Sequence, residues 1–250
     1  KKFHINGNIT EAKDSMLYLE NISLNGPVKI DSVKLGEDGA FDFQENAMDS
    51  ITPDFYRLRI ANQTINLSID STETVTVKAA YPQMSYKYEV EGSENCNTIK
   101  ELSLKQMLLQ SNINGIIKNP NIGVDSVDVI VTRMLNEYKQ DIKTNYIFKA
   151  PMQASSYYAL FQTIQLGNTN SLIFNPRNNK EDVKVFAAVA TSWDTYYPGA
   201  ERGKNLHNIA IEGMKDIRII ENQMAQQKID ASKVQVNGCI ELALQDNKGQ

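Results

Sequence analysis

At 250 residues, with 41% hydrophobic and 22% charged side chains, the chain has the composition of a folded globular protein, long enough for one large domain or two ordinary ones. Its net charge of −4 argues against a nucleic-acid binder, which needs a basic surface to displace phosphate counterions. No run approaches the roughly 20 apolar residues of a membrane-spanning helix. The sequence begins at Lys1, not at Met, and so reads as a piece of a longer gene product, with any signal peptide or lipid anchor upstream of it.

The first 90 or so residues alternate with a period of two, which sends one side chain of each pair toward a core and the next toward water. Phe3 and Ile5 open the pattern, followed by Leu17 and Leu19, Val28 and Ile30, Phe41 and Phe43, and Tyr56, Leu58 and Ile60. Ile65, Leu67 and Ile69, then Val75 and Val77, then Tyr86, Tyr88 and Val90 complete it. Asn25-Gly26-Pro27, Asp38-Gly39 and Asn62-Gln63 supply turn residues between the runs, and Asp38-Gly39 is a hairpin signal. About eight strands spaced near ten residues apart predict an antiparallel β-sandwich or open barrel.

After Gly92 the period changes. Ile99, Leu102, Leu109, Ile113 and Ile116 predict a first helix, with Ser93 as N-cap and Asn119-Pro120 as its stop. Val127, Ile130, Met134, Tyr138 and Ile142 mark a second. Tyr157, Leu160, Phe161 and Ile164 mark a third, ending at Gly167. Val183, Phe186, Ala190 and Trp193 mark a fourth, broken at Pro198-Gly199. Leu206, Ile209, Gly213, Ile217, Ile220 and Met224 mark a fifth. Each apolar stripe needs a partner, so the helices are expected to pack on one another as an all-helical domain. From Val234 and Val236 to Ile240, Leu242 and Leu244 the period returns to two, entering a turn signal at Asp246-Asn247-Lys248-Gly249. The expected class is α+β: a β-domain over 1–92, a helical domain over 93–232, and the opening hairpin of a further domain over 233–250.

The residues that carry chemistry are sparse. His4 and His207 are the two histidines, each alone in the sequence, and both read as structural. Cys96 and Cys239 form neither a C-x-x-C nor a zinc-ligand spacing; two buried thiols, a long-range disulfide and a reactive thiol are the readings open to them. Gly199-Ala200-Glu201-Arg202-Gly203-Lys204 imitates a phosphate loop but has three residues between its glycines where four are needed, Asn205 where the magnesium-binding hydroxyl belongs, and a helix before it instead of a strand. No catalytic, cofactor-binding or metal-ligating residue is therefore assigned. The aromatic group Tyr157, Tyr158, Trp193, Tyr196 and Tyr197 is the candidate ligand surface, with core packing as the competing reading.

Several motifs in order resemble a known family. They are Phe3-x-Ile5-x-Gly7, Leu17-x-Leu19, Ile30-Asp31-Ser32-Val33, Asp38-Gly39-x-Phe41-x-Phe43, Pro53-x-x-Tyr56, Ile65-x-Leu67-x-Ile69-Asp70 and Val90-x-Gly92-Ser93-x-x-Cys96-Asn97. This series is similar to the small β-domain of unknown function at the N-terminus of many bacterial envelope thiol–disulfide oxidoreductases, in which a helical segment and then a thioredoxin-like domain of the alkyl hydroperoxide reductase/thiol-specific antioxidant superfamily follow. Ser156-Tyr157-Tyr158-Ala159-Leu160 and Ala190-Thr191-Ser192-Trp193-Asp194 are consistent with the helical segment, and Ile240 to Gly249 with the hairpin that opens the thioredoxin-like domain. The family's catalytic W-C-x-x-C has no counterpart among these residues. The resemblance implies a non-catalytic accessory region of an envelope-anchored oxidoreductase, without a cofactor, serving docking, spacing or dimerisation. Its implied partners are a C-terminal thioredoxin-like domain of the same gene product and a second copy of the chain, with membrane contact only through an anchor upstream of Lys1. The alternative is a free-standing glycan- or peptide-binding module of the envelope.

Overall fold

The computed structural model describes residues 1–47 and 51–248, with side chains as far as Val234. The alternating first part folds into eight strands: β1 (Lys2–Thr10), β2 (Met16–Ser23), β3 (Gly26–Lys34), β4 (Ala40–Asn46), β5 (Asp54–Ile60), β6 (Gln63–Ile69), β7 (Thr74–Ala80) and β8 (Tyr88–Glu91). They form two four-stranded sheets, ordered β4-β1-β7-β8 and β3-β2-β5-β6. Ile5, Val75 and Val77 of the first sheet and Leu19, Leu58 and Leu67 of the second share one buried core, so the two sheets are the layers of a sandwich.

Two expectations are corrected in this part. The sandwich is not wholly antiparallel, because β1 and β7 run parallel with Ile5 opposite Val75; the whole second sheet intervenes between them in sequence and supplies the crossover. Opposite Val77 stands Gly7, at φ +143°, where an added Cβ would lie 1.7 Å from the Val77 carbonyl oxygen. Asp38-Gly39 does not close a hairpin either. β3 and β4 lie in different sheets, and Gly39, at φ +68°, turns the chain from one to the other where Ile9 of β1 leaves no room for a side chain.

The remainder comprises α1 (Glu94–Lys118), α2 (Val124–Ile142), a π turn over Lys143–Ile147, α3 (Ala154–Leu160), β9 (Thr163–Leu166), β10 (Thr169–Leu172), α4 (Lys180–Tyr196) and α5 (Glu201–Lys248). Ser93 caps α1 as expected, its Oγ accepting from the Cys96 backbone N–H at 3.1 Å. Ile113, Ile147, Leu160, Phe174, Phe186 and Trp193 are all fully buried in the core these elements share. The first turn of α1 belongs to the other side of the boundary, since Cys96 packs into the sandwich core.

This part is not all-helical. The predicted third helix stops at Leu160, and residues 163–172 form the β9–β10 hairpin, turning at Gly167 with φ +61°. Gln110 of α1 explains how so short a hairpin persists: its Nε2 donates to the Gln165 carbonyl and its Oε1 accepts from the Gln165 N–H, both at 2.8 Å. A side-chain amide thus takes the place of a third strand.

Residues 234–244 do not form the expected strand. They are helical, part of α5, and Asp246–Lys248 continue that helix; Gly249 lies outside the described residues. Val236, Ile240 and Leu244 are spaced by four, which suits a helix as well as alternation suits a strand, and extending a helix costs far less than starting one. α5 packs against α4 through Leu206, Ala210 and Ile217, after which every described residue from Arg218 to Val234 is exposed. About 45 Å of helix runs on beyond Ile217.

Candidate functional site

The site lies where the helical part covers one end of the outer face of the sheet β3-β2-β5-β6. Alternation along β5 turns Tyr56, Leu58 and Ile60 into the sandwich, and so turns Phe55, Arg57 and Arg59 outward. Phe55 is buried all the same, because it joins the helical core and stacks on Tyr157 of α3 at 5.2 Å between ring centroids. Across from Arg57 on β6 stands Asn66, whose Nδ2 donates to the Tyr158 hydroxyl at 3.4 Å.

Arg202, in the first turn of α5, ties the two parts together. Its Nη2 donates to the Ile22 carbonyl of β2 and to Asp54 Oδ1 of β5, the latter at 3.0 Å. The guanidinium also lies over the rings of Phe55 and Tyr157, at 4.9 and 5.4 Å. Asn95 makes a second tie. Its Nδ2 donates to Asp70 Oδ2 at 3.1 Å and to Gln153 Oε1 at 2.9 Å, and its Oδ1 accepts from the Ser155 N–H at 3.2 Å.

Between the Arg202 tie and β6 lies a cleft of about 590 Å³, lined by Phe55, Arg57, Asn66, Tyr157, Tyr158, Phe161 and Arg202, with the exposed Leu24 beside them. Just outside the wall, Glu20 accepts from Arg57 Nε at 2.6 Å and from Arg59 Nε at 3.1 Å. Burial would raise the Glu20 carboxyl, but the two guanidinium groups overcome it and hold its pKa below the usual value. Burial pushes the Tyr157 hydroxyl up, opposed by Arg202.

The structure links four of the five aromatic residues singled out in the sequence into a run of ring contacts. Tyr157 packs on Trp193 at 4.9 Å, Trp193 on Tyr197 at 4.9 Å, and Tyr197 on Tyr196 at 6.4 Å. Tyr157 and Tyr158 line the cleft, while Trp193 stands behind Tyr157 and is fully buried. Tyr197 donates its hydroxyl to the Met152 carbonyl at 2.8 Å, and Tyr196 is exposed. Sequence reasoning missed the other side of the cleft: Phe55, Arg57, Asn66 and Arg202. The one local signal was the pair Arg57 and Arg59 on the outward phase of an otherwise apolar strand.

The remaining chemistry-bearing side chains lie apart from the cleft. His207 Nε2 bonds Asp194 Oδ2 between α4 and α5, and His4 lies 3.7 Å from Asp42. Cys96 is fully buried and bonded to the Ser68 backbone, its Sγ donating to the carbonyl at 3.2 Å; burial pushes this thiol up, away from the reactive thiolate. The Cys239 side chain lies outside the described residues. Among the described residues no three His, Cys, Asp or Glu side chains cluster to hold a metal ion, and no helix is long and apolar enough to cross a membrane.

Residues 3–99 match a family described as Domain of unknown function (DUF4369). The matched segment is the β-sandwich together with the start of α1, up to the residues whose side chains close the sandwich core. No curated protein matches the chain.

Proposed function

We propose that the chain is the non-catalytic accessory region of an envelope-anchored, thioredoxin-like thiol–disulfide oxidoreductase, serving to dock partners and to space the redox domain. The observation that carries this reading is the joint: Arg202 and Asn95 hold sandwich and helices as one body, with a cleft built into the seam. Ligand sites favour such seams. The match of residues 3–99 to a β-domain of unknown function supports the first half of the family resemblance, and α5, projecting past Ile217, suits a spacer. The test is the coding sequence beyond Gln250. A strand, a C-x-x-C and a helix in that order are expected; a stop codon at once, or a continuation without that pattern, overturns the reading. The cleft itself favours a second reading, a free-standing envelope module that binds glycans or peptides, and that module would then take first place.

A further inference from the structure

The charged side chains on the cleft wall are, among the described residues, Arg57 and Arg202, and the carboxylates that pair with them, Glu20 and Asp54, stand outside that wall. The two arginines differ in what they have left to offer. Arg202 is engaged by Ile22, Asp54 and two aromatic rings. Arg57 gives Nε to Glu20, while its two terminal nitrogens make no hydrogen bond among the described residues. Arg59 donates to the same Glu20 oxygen, so that carboxylate stays compensated when Arg57 engages something else. The rest of the wall carries no charge: uncharged polar groups such as Asn66, Gln106 and Asn205 lie beside an apolar side made by Ile22, Phe161 and the exposed Leu24.

A guanidinium offers parallel N–H donors that match the two oxygens of a carboxylate. A cleft of about 590 Å³ accommodates a ligand of the size of a short peptide. We infer that the cleft binds a carboxylate-bearing ligand with an apolar body, the carboxylate on Arg57 and the body against Leu24 and Phe161. This rests on the docking role proposed above and names its ligand class.

Isothermal titration calorimetry of the whole chain with trileucine, trileucine amide, phenylpropionate and a neutral chitin trisaccharide tests it. Saturable binding of trileucine is expected, weakened about tenfold or more in the amide and in Arg57→Gln, as loss of a charge-assisted contact implies. Phenylpropionate binding as tightly as trileucine makes the natural ligand a small free acid; binding about tenfold weaker makes it a peptide C-terminus. Equal binding of acid and amide, preference for the trisaccharide, or no saturable binding of either acid at millimolar concentration overturns the inference. If Arg57→Gln does not fold, acid against amide on the unaltered chain still decides. Failure here leaves the accessory reading standing, since the downstream coding sequence decides that separately.

Discussion

Arg202 holds Ile22, Asp54, Phe55 and Tyr157 at once, so Arg202→Ala strips two acceptors of their donor and two rings of their cover. Chemical denaturation should show a loss of about 2–3 kcal/mol. Arg202→Lys should restore little of it, because a lysine keeps the charge but neither the fork nor the planar stacking. Two glutamates should bend the dependence of stability on pH in opposite senses. Glu20 has its pKa lowered by Arg57 and Arg59 against the effect of burial, so the stability it contributes is present above its unfolded pKa and is lost as pH falls through the folded one. Glu20→Gln should therefore be less stable than the parent at neutral pH and converge with it in acid. Glu73 is raised by burial, and its contribution is present below the unfolded pKa and lost as pH rises through the folded one. Glu73→Gln retains an acceptor for the Asp70 and Ser71 N–H groups, and should be the more stable protein at neutral pH. Melting curves of both variants between about pH 3 and 8 check the signs.

Among the elements, the β9–β10 hairpin is held to α1 by glutamines, Gln110 on the Gln165 backbone and Gln106 on the Thr163 carbonyl. Gln110→Ala removes both bonds to the Gln165 backbone, at a cost of about 1 kcal/mol, and should speed hydrogen exchange at the Gln165 amide while leaving those of β5 unchanged. This hairpin also shows where the sequence stops being legible. Ile164 falls three and four residues after Phe161 and Leu160, as a helix requires, and Gly167 passes for a helix C-cap. The contacts that favour the hairpin come from Gln106 and Gln110, more than fifty residues earlier in the chain. The strands of the sandwich were legible because inward positions such as Leu17, Leu58 and Val75 carry their own pattern. The cleft was half legible. Tyr157 and Tyr158 stood out by composition, but Arg202 meets Asp54 across 148 residues of sequence, and nothing local announces that meeting.

Taken whole, the sandwich and the helical part are joined by Asn95 and Arg202 and share Phe55 across their boundary, so a single cooperative unfolding transition is expected. Limited proteolysis should not release two folded fragments by cutting at residues 91–98, since Asn95 and Cys96 are buried there and Ser93 is engaged as a cap. Rapid cleavage at that place with both halves still folded would disprove the tight joint. The exposed stretch of α5 sets direction as well as distance. Each helical residue turns the axis by about 100° as it advances 1.5 Å. Seven residues inserted between Arg218 and Val234 would move anything fused beyond them outward by about 10 Å and leave it facing within about 20° of its former direction. Five residues would carry it about 7 Å and swing it through about 140°, to nearly the opposite side of the molecule. Reach along this helix can be changed freely, but aim is kept only near whole turns.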